Sequence, residues 1–182
     1  MIRTVLAAMA VSFSAPAALS QDAPPPVAFE GPMTGERLGA IVASIDPALE
    51  ATPNSYQFAF AERSFILVFD ETAGRMRLMT PVAETAALGP DVLMRALQAN
   101  FDAVLDARYA IAGDVMWSVF IHPLPSLTDE RFESALVQTA IAAETFGTTF
   151  TSGEFVFGGG DSQGLHQELI DQLEQSRRER SL

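Results

Sequence analysis

The sequence predicts an α+β fold, in which an antiparallel five-stranded sheet packs against helices in the order αβββαββα and a C-terminal amphipathic helix follows. Two periodicities predict this class. Apolar residues recur every three or four positions in four segments, which is typical of helices, and at every second position in five others, which is typical of strands. Turn residues such as Gly113-Asp114 separate neighbouring strands, and so short a connection favours antiparallel pairing.

Composition narrows the functional classes. The chain has 182 residues, a formal net charge of −12, and neither lysine nor cysteine. It therefore has no disulfides, no thiolate metal ligands and no cysteine to carry a lipid anchor. A surface this acidic repels phosphate backbones, which argues against a nucleic-acid partner.

Residues 1–20 are typical of a cleavable export signal. Arg3 gives a positive start, the following ten residues are mostly apolar, and Ala18-Leu19-Ser20 is a small-x-small cleavage site. We expect cleavage after Ser20 and a periplasmic or secreted protein with no stable membrane anchor. The alternative is an uncleaved anchor, but the unbroken apolar run is shorter than the roughly 20 residues that a membrane span needs.

The mature chain divides into four segments. Residues 21–33 form a proline-rich tether, 34–152 one α+β domain, 153–164 a glycine-rich linker, and 165–182 an amphipathic helical tail. The domain is long enough to bury a core without disulfides.

The first helix is predicted from about Gly35 to Leu49, with Thr34 as its N-cap. Pro47 is expected to end the helix early or to kink it. The residues on its apolar face are Leu38, Ile41, Val42, Ile45 and Leu49.

A three-stranded meander follows the first helix. Its third strand is Arg75 to Val82, for which we expect one buried face and one wet face, as in an antiparallel sheet covered on one side. The residues expected to share a face are Tyr56, Phe58 and Phe60 in the first strand, Phe65, Leu67 and Phe69 in the second, and Met76, Leu78 and Thr80 in the third.

A second helix and a hairpin come next. Pro90 at the first helical position and Asp91 in the first turn predict a helix as far as about Val104. Arg108 to Ala112 and Val115 to Ile121 predict the fourth and fifth strands. The apolar stripe expected on the helix is Leu93, Leu97, Phe101 and Val104.

The third helix has the clearest start. The segment from His122 to Pro125 leaves the sheet, because neither of its prolines donates a hydrogen bond to a ladder. Thr128 then caps the helix, with Leu127 and Phe132 as a hydrophobic staple. Apolar residues cover more than half of this helix, so we expect it to supply both core and a homodimer face.

The tail carries a narrow apolar seam, formed by Leu165, Leu169 and Leu173. A helix this short is marginal in water by itself. We expect it to dock on its own domain, on a second copy or on a partner, and the sequence leaves these three arrangements open.

The order of elements resembles the type III secretion chaperone-like fold, in particular its YbjN-type sensory-domain branch. The matching pieces are the leucine-rich helix Val92 to Asn100, the hairpin Ala107 to Ile121, the exit Leu124-Pro125 and the helix Leu127 to Phe146. The resemblance spans about 34–152. It implies a binding protein without a catalytic motif, in many members a homodimer that holds extended partner segments. Secretion chaperones work in the cytoplasm, so the export signal predicts an exported relative with an unknown partner.

No constellation of residues predicts catalysis. His122 and His166 lie in a proline loop and a tail helix, without metal-ligand partners at useful spacing. Ser162 follows a glycine run and is out of register with a nucleophile elbow, so we interpret it, or Asp161, as a helix N-cap. We therefore predict no catalytic residue, no cofactor and no metal.

Seven apolar residues are candidates for contact with a partner. Trp117 shares a strand face with Val119 and Ile121, and a place in the core is the favoured alternative to a partner site. Phe155 and Phe157 either close a sheet edge or anchor a partner. The full set is Trp117, Leu136, Phe155, Phe157, Leu165, Leu169 and Leu173.

The expected function is that of an exported, non-enzymatic protein-binding or chaperone-like assembly domain, with a homodimer as one arrangement. Two alternatives stand beside it. One is an exported hydrolase that uses carboxylates and His122, and the other is a carrier of a small apolar ligand.

Overall fold

The computed structural model describes residues 31–147 and 162–180. Six antiparallel strands form one sheet in the order β1-β2-β3-β4-β6-β5. The elements in chain order are α1 (Gly35–Ile45), β1 (Glu50–Thr52), β2 (Ser55–Phe60), β3 (Arg63–Asp70), β4 (Arg75–Glu84), α2 (Pro90–Asp102), β5 (Arg108–Ala112), β6 (Val115–Pro123), α3 (Asp129–Glu144) and α4 (Ser162–Arg180), with 3-10 turns at Thr85–Ala87 and Leu124–Ser126.

The α+β class and the antiparallel sheet are confirmed, but the strand count is wrong. The sheet has six strands, and the order of the domain is αββββαββα. The missed strand, β1, is three residues long and exposed throughout, so it carries no apolar alternation. The sequence feature that could have predicted β1 is the turn at Pro53-Asn54. This turn joins β1 to β2, and the pairing begins with Thr52 opposite Ser55.

The first helix ends at Ile45, with Asp46 as its C-cap just before Pro47. Its N-terminus is fixed twice. The Thr34 hydroxyl accepts a hydrogen bond from the Arg37 N–H at 3.2 Å, and a Glu71 carboxylate oxygen accepts one from the Gly35 N–H at 2.7 Å. A methyl group at Gly35 would lie 2.1 Å from the Phe69 ring, so only glycine permits this approach of helix to sheet.

All the described helices pack on one face of the sheet. That face carries most of the buried residues of the long strands, including Leu67 on β3 and Leu78 on β4, as the alternation predicts. Helix α3 lies across β4 and β6 at the centre of the core. Buried polar groups are paired there, since the Ser118 hydroxyl donates to the Thr139 carbonyl at 2.9 Å and the Thr80 hydroxyl donates to the Ser64 carbonyl at 2.8 Å.

The apolar stripe expected on α2 is wrong for two of its four residues. The side chains that this helix buries are Ala96 and Ala99, which pack against Tyr109 and Met116 on the neighbouring strands. Of the predicted stripe, Leu93 and Val104 are partly buried against the same cluster, whereas Leu97 and Phe101 are exposed. The small alanines let the helix lie close to the sheet, and this approach turns the large side chains outward.

Helix α4 docks on its own domain, between α1 and α3. Leu169 and Leu173 are buried in the same core as α1 and α3, and Leu165 and Ile170 are partly buried against it. The Arg177 guanidinium lies 2.7 Å from a Glu133 carboxylate oxygen. Among the described helices, none is long and apolar enough to cross a membrane.

Candidate protein-binding surface

Helix α2 presents a row of large apolar side chains to solvent. Met94, Leu97 and Phe101 follow one another on the helix at spacings of three and four residues, and Leu105 comes just after its end. Their exposed fractions are 57%, 64%, 64% and 50%. Soluble proteins seldom expose so many large apolar side chains together unless the surface binds something. We refer to these four residues as the α2 surface.

The α2 surface is held at the edge of the sheet by Asn100. Its side-chain oxygen accepts from the Tyr109 N–H at 2.7 Å, and its side-chain nitrogen donates to the Tyr109 carbonyl at 3.1 Å. Tyr109 lies on β5, which is an end strand of the sheet. The amide therefore satisfies the open edge of β5 as a neighbouring strand would, and it ties α2 to that edge.

The Tyr109 side chain anchors the same region from inside. Its hydroxyl donates to the Ala142 carbonyl of α3 at 2.5 Å, and its ring meets the Phe146 ring edge-on at a centroid distance of 5.4 Å. Burial raises the pKa of Tyr109 to about 12, because the phenolate would have to leave water. Tyr109 thus joins β5, α2 and α3 beneath the α2 surface.

Trp117 does not lie in the core under the helices. It is half-buried on the opposite face of the sheet, which also carries the buried Val119 and the exposed Ile121, and its indole N–H donates to the Ala112 carbonyl at 3.3 Å. The residues of β6 that face the helices are Met116, Ser118 and Phe120. The interpretation of Trp117 as core beneath the helices was therefore wrong.

The structure separates the other predicted partner residues. Leu136 is fully buried, with an exposed fraction of 0%, so its side chain belongs to the core and is not accessible to a second copy. Leu169 and Leu173 are buried by docking in the same chain, and Leu165 is partly buried beside them. Phe155 and Phe157 lie outside the described residues.

The histidines and the serine considered for catalysis have structural surroundings. The His122 ring stacks on Phe120 at a centroid distance of 5.8 Å, and its Nδ1 lies 2.8 Å from the Pro123 carbonyl. Within residues 31–147 and 162–180, no carboxylate lies at ion-pair distance from His122, and no group of three acidic or histidine side chains is placed to hold a metal. His166 lies on α4, and Ser162 is the first residue of that helix.

One cavity, of 530 Å³, lies between the β2–β3 turn, α3 and α4. Its rim is charged, and Arg63 and Glu144 form an ion pair across it at 2.5 Å. A carrier of small apolar ligands needs a mostly apolar lining, and this cavity is an open, polar cleft.

Sequence reasoning missed the α2 surface, although two signals were available. Ala96 and Ala99 lie three residues apart on one side of the helix, which is the spacing of a close helix contact. Asn100 near the helix end is a residue that helices disfavour internally, and its side chain often binds nearby backbone groups.

Comparison with known proteins identifies no family. No protein-family model matches the chain, and no curated protein matches it. Solved structures do match. A chain in the crystal structure of the ExsC–ExsE complex has a TM-score of 0.51 and 16% identity, and the match covers 65% of this chain and 97% of that chain.

Two further structures have lower scores. A chain of the HopA1–SchA chaperone–effector complex has a TM-score of 0.45 and 11% identity, over 60% of this chain and 91% of that chain. A chain of the complex of the Yersinia pestis type III secretion chaperone SycH with a stable fragment of YscM2 has a TM-score of 0.45 and 12% identity, over 59% of this chain and 98% of that chain.

These likenesses are of fold. The match with a TM-score of 0.51 shows that this chain shares the fold of a chain in the ExsC–ExsE complex. About a third of this chain lies outside that match.

Proposed function

We propose that this chain is an exported, non-enzymatic protein-binding domain of chaperone-like type, and that it pairs with a second copy through the α2 surface. The observation that carries the proposal is the exposure of Leu97 and Phe101 on a helix that is otherwise anchored firmly to the sheet. A rigid, preformed apolar surface loses little entropy when it binds.

A second copy is the proposed occupant for two reasons. In a two-fold symmetric dimer the same patch faces itself, so an apolar surface is complementary to its own copy. The chain is strongly acidic, yet the four residues of the α2 surface carry no charge, so these side chains meet their copies without opposing like charges. The resemblance to the secretion-chaperone fold also implies homodimers.

The solution mass of the mature protein, beginning at Gln21, tests this proposal. We expect a dimer by light scattering, and we expect Leu97→Asp to give a folded monomer, because a charge at the centre of the interface would have to be buried. A matched control is Ala51→Asp, which places the same charge on the exposed strand β1. A wild-type monomer at high concentration, or a Leu97→Asp dimer, would contradict the proposal.

Export and membership of the YbjN branch are also part of the proposal. Residues 1–20 support export by their sequence alone. Mass spectrometry of the protein recovered from the exported fraction is expected to show an N-terminus at Gln21. Full-length protein retained in the cytoplasm would refute export and leave the dimer proposal intact.

A further inference from the structure

The face of the sheet opposite the helices is not covered by any described element. We call it the outer face. At its centre Met79 on β4 is flanked by Ile66 on β3 and by Val119 on β6. In the next cross-strand row Arg77 stands between Val68 and Ile121. The outer face is thus an apolar strip, with Ile121 at 48% exposure.

Charge is distributed unevenly between this face and the rest of the chain. Five arginines form ion pairs with carboxylates, four of them on helices and one at the helix-facing start of β3, and these are Arg37, Arg63, Arg131, Arg177 and Arg178. Among the described residues, Arg75, Arg77 and Arg108 have no carboxylate at ion-pair distance. By strand alternation all three lie on the outer face.

None of these arginines forms an ion pair with an acidic side chain among the described residues. Asp70 stands opposite Arg75 on the outer face, where its carboxylate accepts the Ala73 N–H at 2.8 Å and offsets part of the Arg75 charge, so Arg77 and Arg108 carry most of the unbalanced charge. Arg108 donates to the backbone carbonyls of Leu105 and Ala107, which leaves its positive charge unbalanced. The outer face is therefore a basic and apolar patch on a chain of net charge −12.

We propose that the outer face binds a short acidic polypeptide segment, whose apolar side chains contact Met79 and Ile121 and whose carboxylates pair with Arg77 and Arg108. This inference rests on the proposed protein-binding function and names the chemistry of the partner. Arginine is suited to the role, because its planar guanidinium binds a carboxylate through two parallel hydrogen bonds.

The size of the patch selects a short segment over an extended anionic surface. Charges are screened over about 8–10 Å at physiological salt, so a segment confined to the outer face meets mainly the three arginines. A membrane or a nucleic acid extends beyond the patch and meets the acidic remainder of the chain, which repels it.

Trp117 makes the test direct, because it is the single tryptophan of the chain and lies on the outer face, opposite Pro81 and Ala110. The mature protein is titrated with a short synthetic peptide in which glutamate alternates with valine, and Trp117 emission is recorded. Matched peptides carry lysine or serine in place of glutamate. We expect the glutamate peptide alone to shift the emission, and higher salt to weaken its binding.

Substitution of selected arginines shows which of them bind the carboxylates of the peptide. Replacing Arg77→Gln and Arg108→Gln together is expected to weaken binding of the glutamate peptide about tenfold or more, since two charge-assisted hydrogen-bonded pairs are lost. Arg131→Gln on α3 removes an exposed arginine that already has a carboxylate partner, and it is expected to leave binding unchanged. Thermal unfolding of each variant confirms that it is folded.

Two results would overturn the inference. Equal binding of the lysine or serine peptide would show that charge does not select the partner, while the protein-binding function would stand. No binding of the glutamate peptide, or binding that the arginine variants do not weaken, would remove the outer face as its site. Failure of the dimer proposal would be seen separately, as a monomeric solution mass in the absence of any peptide.

Discussion

The side-chain amide of Asn100 pairs with the backbone of Tyr109 as if it were a strand residue. It accepts from the Tyr109 N–H at 2.7 Å and donates to the Tyr109 carbonyl at 3.1 Å, across nine residues of chain. One side chain thereby closes the edge of β5 and fixes the helix that carries the exposed apolar row. The α2 surface depends on this pair for its position.

Asn100→Ala is expected to lower the free energy of unfolding by about 2 kcal/mol, because a backbone donor and acceptor lose their partner in a partly buried place. Asn100→Asp keeps the acceptor and loses the donor, so an intermediate loss is expected. Urea unfolding measures both. The control Asn54→Ala, in an exposed turn, is expected to change stability by less than about 0.5 kcal/mol. Equal losses for Asn100→Ala and the control would contradict this account.

Tyr109 makes stability fall at high pH. Its folded pKa is about 12, against an ordinary value of 10.0, so the unfolded chain releases the phenolic proton first. The contribution of Tyr109 to the free energy of unfolding is fully present below pH 10 and is lost as the pH rises toward about 12. Tyr109→Phe removes the hydrogen bond to Ala142, and it is expected to reduce the fall in the free energy of unfolding between pH 10 and about pH 12. The chain has two tyrosines, and the pKa of Tyr56 is also raised by burial, so ultraviolet titration of the variant isolates Tyr56.

Leu136→Asp is expected to unfold the domain. The Leu136 side chain is fully buried in the core. A carboxylate there would lose its hydrogen bonds to water without gaining any from the protein. Circular dichroism with light scattering separates the outcomes. A folded Leu136→Asp monomer would restore α3 as a homodimer face and would contradict the buried position.

Docking of α4 on its own domain predicts that Leu173→Ala lowers the free energy of unfolding by about 2–5 kcal/mol, as for other buried leucines. Gln175→Ala on the exposed side of the same helix is the matched control. Amide hydrogen exchange is expected to show protection of α4 that is independent of protein concentration. Protection that appears only at high concentration would indicate docking on a second copy.

Local rules predicted most of the elements. Thr128 caps α3 through the Arg131 N–H at 3.1 Å, and the hairpin turns at Gly113, whose φ of +58° suits glycine. Strand alternation predicted which residues share a face. It did not decide which face is buried in β6, where the helices cover Met116 and Phe120 and the Thr139 carbonyl accepts the hydrogen bond of the Ser118 hydroxyl buried with them.

The functional surfaces were beyond these local rules. An apolar stripe on α2 predicts an amphipathic helix. Whether its alanines or its leucines face the sheet depends on the distance between the helix and the sheet, which is a tertiary property. In the sequence, the arginines of the outer face likewise look like ordinary solvent-exposed residues of a strand. Only the ion pairs of five other arginines, Arg37, Arg63, Arg131, Arg177 and Arg178, show that Arg75, Arg77 and Arg108 are different.

The central claim is that two copies meet at the α2 surface, and site-specific cross-linking tests it most directly. The chain has no cysteine, so a single Leu97→Cys substitution gives one reactive site. With a short bis-maleimide linker, the mature Leu97→Cys protein is expected to form covalent dimers at low concentration, and Ala51→Cys on β1 is expected to remain monomeric. Equal cross-linking of the two variants, or none at Leu97→Cys, would contradict the claim.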